Sequence, residues 1–94
     1  MSQTTIPQNE PAFPKHIIET AYCFFHQKQR VYEYSTMDWQ KDDIECAISS
    51  YVDTMDAALY AYLAGDSTDY LLSHSRFGDD LRHAVGQLEE MLFS

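Results

Sequence analysis

The chain has 94 residues and a mass of 10.9 kDa, room for one small domain and not two. Its 15 Asp and Glu against 6 Lys and Arg give a net charge of −9, which argues against a protein that neutralises a phosphate backbone. Hydrophobic residues make up 45% of the chain, an ordinary share for a packed fold, so wholesale disorder is excluded.

Met1 to Phe13 is polar and carries Pro7 and Pro11. It predicts a flexible tail over 1–13, followed by a single helical domain over 14–94. The segment lacks the basic and apolar regions of a signal peptide. No apolar run approaches the roughly 18 residues of a membrane span. Cys23 and Cys46 are the only cysteines and show no CxxC spacing. These features together predict a reduced, cytoplasmic setting.

The first helix is expected from Pro14 to about Tyr34, since proline suits a first turn. At 100° per residue, Ile17, Ala21, Phe24, Phe25, Lys28, Val31 and Tyr32 share one face, widened by Ile18 and Tyr22. Tyr22 is expected to meet a second protomer. Thr36 or Asp38 is expected to cap the second helix, which should continue to about Ala64. Ile44, Ile48, Tyr51, Met55, Leu59 and Tyr62 set its phase, and Gly65 is the expected C-cap. A third stretch places Leu71, His74, Phe77, Leu81, Ala84, Val85, Leu88, Met91 and Leu92 on one stripe. It reads either as one helix from about Thr68 to Leu92, slightly preferred, or as a short helix with a bend before Phe77. No stretch alternates as a strand does. The fold class is therefore all-α: an antiparallel bundle of three helices, or four if the third breaks near Ser75.

Negative charge concentrates in the second half. Residues 1–35 are neutral, 36–66 sum to −6, and 67–94 to −3. On the second helix Asp38, Asp42, Glu45, Asp53 and Asp56 form a carboxylate ribbon, about 20 Å long from Asp42 to Asp56 at 1.5 Å per residue. With Tyr60 as an aromatic anchor, it is the expected docking side for a basic partner. Paired carboxylates also serve glycosidases, but that chemistry needs a cleft that desolvates one acid.

The metal-ligating residue types cluster once, as His16, Glu19, Cys23 and His26 at spacings of 3, 4 and 3. One straight helix closes a tetrahedral site poorly, so the expected reading is a wet helix face, with no cofactor implied. Asp79 and His83 stand four apart next to Asp80 and read as a surface pair, while His74 reads as a half-buried residue of the apolar stripe. GxGxxG and GKS/T motifs are absent. The expected function is non-enzymatic: a small helical protein acting through protein contacts. Self-association leads, motivated by seven tyrosines and five phenylalanines, and docking of a basic partner accompanies it. The alternatives are a metal-binding or small enzyme-like accessory protein, and a nucleic-acid mimic. Direct nucleic-acid binding and a membrane site are not expected.

Overall fold

The computed structural model describes residues 13–93. Four α-helices follow one another: α1 (Lys15–Tyr34), α2 (Asp38–Thr54), α3 (Ala57–Ala64) and α4 (Phe77–Phe93), with a 3-10 turn at His74–Arg76 leading into α4. No strand occurs among the described residues. The all-α class stands. Residues 1–12 of the expected 1–13 tail lie outside the described residues. Phe13, however, packs edge-on against Tyr62, with ring centroids 6.0 Å apart.

The core forms where apolar residues recur once per turn. α1 buries Ile18, Ala21 and Phe25, and α4 buries Phe77, Leu81, Ala84, Val85 and Leu88. These two helices make the most extensive packing in the molecule. α2 adds Ile44 and Ile48, and α3 adds Leu59 and Leu63. Each large side chain withdrawn from water contributes on the order of 2 kcal/mol. Aromatic pairs lock the helices together. Phe24 stacks on Tyr51 at 4.3 Å, joining α1 to α2, and Tyr32 meets Phe77 at 5.1 Å, joining α1 to α4.

Two expected helices are shorter than their phase implied. The second does not run to Ala64; it stops at Thr54, where the threonine hydroxyl bonds back to the Tyr51 carbonyl at 3.0 Å. Asp56 then caps α3, its carboxylate accepting from the Leu59 amide at 2.9 Å. A side chain that satisfies a free helix-start amide favours a new start over continuation. Gly65 closes α3 with φ +59°, a conformation that glycine adopts without a Cβ clash. At the start of α2, neither Thr36 nor Asp38 caps. Met37 holds the N-cap position, and Asp38 lies in the first turn.

The third expected helix does not begin at Thr68. Residues 66–73 form a tight loop that ends in the 3-10 turn. The amides of Leu72 and Ser73 both donate to the Asp69 carbonyl, at 2.9 and 3.1 Å. Leu71 takes φ +61°, unusual for a residue with a side chain. Its side chain is buried, and its amide donates to the Asp80 carboxylate at 2.9 Å. Burial and that charge-assisted bond offset the backbone strain. Tyr60 fastens the same loop: its hydroxyl donates to the Tyr70 carbonyl at 2.6 Å.

Candidate functional site

A broad concavity lies along the outer side of α1. It is a shallow groove of about 770 Å³ lined by Tyr22, Cys23, His26, Gln27, Arg30, Val31, Tyr34, Ser35 and Gln40. None of these nine residues is a carboxylic acid, in a chain that carries 15. Helix periodicity places Tyr22, His26 and Arg30 four residues apart on this side, with Val31 and Tyr34 completing its far end. Tyr22 stacks on the His26 ring at 5.2 Å with the ring planes nearly parallel, and it meets Phe93 of α4 edge to face. Those contacts fix the near wall. At the far end Val31 is 52% exposed and Tyr34 82%. Just beyond it in the chain, Met37 and Trp39 are also exposed, and the Trp39 indole N–H lies 3.1 Å from the Met37 sulfur.

Val31 had been expected on the inward face. It shares that face's phase, but no neighbouring helix covers it. The aromatic surplus also divides in two. Phe24, Phe25, Tyr32, Tyr51, Tyr60, Tyr70 and Phe77 pack on each other or on the core, whereas Tyr34, Trp39 and Phe93 remain in water.

A second assembly sits where α2 meets the 3-10 turn. The His74 Nδ1 lies 2.9 Å from both carboxylate oxygens of Glu45. Tyr32 donates its hydroxyl to Glu45 at 3.3 Å, and the Lys41 ammonium lies over the Tyr32 ring. Asp42 is on the same side of α2, one turn before Glu45. One ligand atom from each of Asp42, Glu45 and His74 lies within 4.8 Å of the others. The hydrogen bond to Glu45 raises the His74 pKa above its ordinary value, and the charges of Glu45, Asp42 and Asp38 add to the rise. Burial and the Glu45 charge push the Tyr32 hydroxyl up as well.

His74 was expected half-buried on the apolar stripe. Its side chain is instead 77% exposed, because the 3-10 turn alters the phase before α4 begins. His83 does not pair with Asp79. It lies 2.7 Å from the Tyr70 hydroxyl through Nδ1, while Asp79 accepts from Arg82. The carboxylate ribbon is interrupted as well. Asp42 and Asp53 are exposed on α2, Glu45 is engaged by His74 and Tyr32, and Asp56 is occupied as the cap of α3. Tyr60 is half-buried with its hydroxyl bonded into the 66–73 loop, so it does not stand free as an aromatic anchor. On α1, no three of His16, Glu19, Cys23 and His26 bring donor atoms within 4.8 Å. Cys23 and His26 line the groove instead.

Both cysteines are free and exposed. No helix of the described residues is long and apolar enough to cross a membrane. No family model, curated protein or solved structure matches this chain. The described residues define a small acidic all-α fold that carries an acid-free aromatic groove.

Proposed function

We propose that this protein works through protein contacts rather than catalysis, and that a second copy of the chain occupies the α1 groove. The observation that carries this reading is the absence of carboxylates from a groove that ends in exposed Val31 and Tyr34. Two chains of charge −9 repel one another on most approaches. The repulsion is least where each presents a groove lined without acids, and burial of aromatic and aliphatic surface then favours contact. Arg30 and His26 supply polar groups to the rim. Tyr22, expected from the sequence to meet a second protomer, forms the near wall. A twofold arrangement suits the proposal, since one patch then serves both copies.

Docking of a basic protein through Asp42, Asp43 and Asp53 is a separate reading, supported by their exposure on the outer side of α2. The two readings respond oppositely to salt. Added salt screens repulsion between like chains and strengthens the self-complex, but it weakens an acidic–basic complex. The test is light-scattering mass across a dilution series at low and high salt. The proposal expects twice the chain mass at high concentration, retained or increased in salt. One chain mass throughout contradicts it.

A further inference from the structure

We propose that Asp42, Glu45 and His74 form a binding site for a zinc-class divalent cation at the seam between α2 and the 3-10 turn. The imidazole is what sets this group apart from an acidic helix face. It comes from 29 residues further along the chain and is held against Glu45 by the fold rather than by helix neighbours. Asp42 and Glu45 stand three apart, so both carboxylates lie on the same side of α2. Imidazole with carboxylate is a donor set that zinc accepts at about 2.0–2.2 Å. Two such bonds at the tetrahedral angle place their donors about 3.4 Å apart, so the 2.9 Å hydrogen bond between His74 Nδ1 and Glu45 opens by about half an ångström to admit the ion. Asp42 is exposed, so its carboxylate can rotate the remaining distance.

A simple ion pair leaves charge uncompensated here. Asp38, Asp42 and Glu45 bring three negative charges together, against Lys41, which lines the same depression with its ammonium over the Tyr32 ring, and a protonated His74. A dication supplies the missing positive charge. Three protein donors leave a further coordination position for water. The bound ion ties the 3-10 turn to α2 and so stabilises the folded chain over the unfolded one. The site is independent of the α1 groove.

The test is calorimetric titration of zinc chloride into chelator-treated protein, with melting temperature as a second readout. Val31→Asp is used as the background so that self-association does not intervene. One zinc per chain is expected, with a raised melting temperature. His74→Ala and Asp42→Asn should each weaken binding about tenfold or more, while the double change His16→Ala, His26→Ala leaves it unaltered. Both His74 and Asp42 are exposed, and circular dichroism verifies that the variants fold. Absence of saturable binding at millimolar zinc, or equal binding by His74→Ala and its parent, overturns the proposal.

Discussion

The Tyr70 hydroxyl lies 2.7 Å from Nδ1 of His83 and 3.2 Å from the carbonyl of Asp80. Both contacts are used when His83 Nδ1–H donates to the phenol oxygen and the phenol proton goes to Asp80. Tyr70 is buried, and Tyr60 bonds to its carbonyl, so this pair anchors the 66–73 loop onto α4. Tyr70→Phe should cost about 1–2 kcal/mol, the range for a hydrogen bond lost inside a packed region. Urea unfolding at neutral pH measures it.

The same residue sets an alkaline limit. Burial, reinforced by the charges of Asp80 and Tyr60, raises the Tyr70 pKa well above the ordinary tyrosine value of about 10. The folded state therefore keeps a proton that the unfolded chain gives up. Its stabilising effect is complete below about pH 10 and is lost progressively as pH rises toward the folded value. Urea midpoints should fall as pH rises above about 10, and less steeply in Tyr70→Phe. An equal fall in both proteins removes Tyr70 as a cause.

Gly86 lies inside α4, and a Cβ added there meets nothing within 4 Å. Gly86→Ala should stabilise by about 0.5–1 kcal/mol through reduced backbone entropy in the unfolded chain. The melting temperature should rise by a few degrees with no change in helical signal. Gly65→Ala should do the opposite, because its positive φ strains any residue with a Cβ.

Asp56→Ala removes the cap of α3 and should destabilise by about 1 kcal/mol. Asp53→Ala, at an exposed site three residues earlier, should change stability by less than about 0.5 kcal/mol. The contrast separates a capping role for Asp56 from mere membership of an acidic face.

Much of this fold is legible as period 3.6. α1 and α4 carry core residues at the spacings of one helical face, and Gly65 is a stop signal placed after the last apolar turn. The break at Thr54–Asp56 is harder to read because Met55 and Leu59 continue the spacing set by Ile44 and Ile48. A side-chain cap restarts the helix without disturbing that count. His74 deceives in the same way: it falls on the stripe of Phe77 and Leu81 although it belongs to a different turn. Its partner Glu45 is fixed by tertiary packing, which spacing does not encode. Periodicity identifies Val31 as apolar-faced, but the decision to leave it wet rests on where α2 and α4 lie.

Cys23 lines the groove and Cys46 lies on α2, both accessible to reagent. Maleimide labelling should therefore slow at Cys23 as protein concentration rises, while the rate at Cys46 stays constant. A concentration-independent Cys23 rate separates the groove from any self-contact.

Sedimentation equilibrium of the wild type beside Val31→Asp, Tyr34→Asp reaches the central claim most directly. Both residues are exposed, so the double variant keeps its fold and places acids in the acid-free groove. The account predicts a wild type of twice 10.9 kDa at high concentration and a variant of one chain mass. A wild type that sediments as one chain, or a variant as associated as its parent, contradicts it.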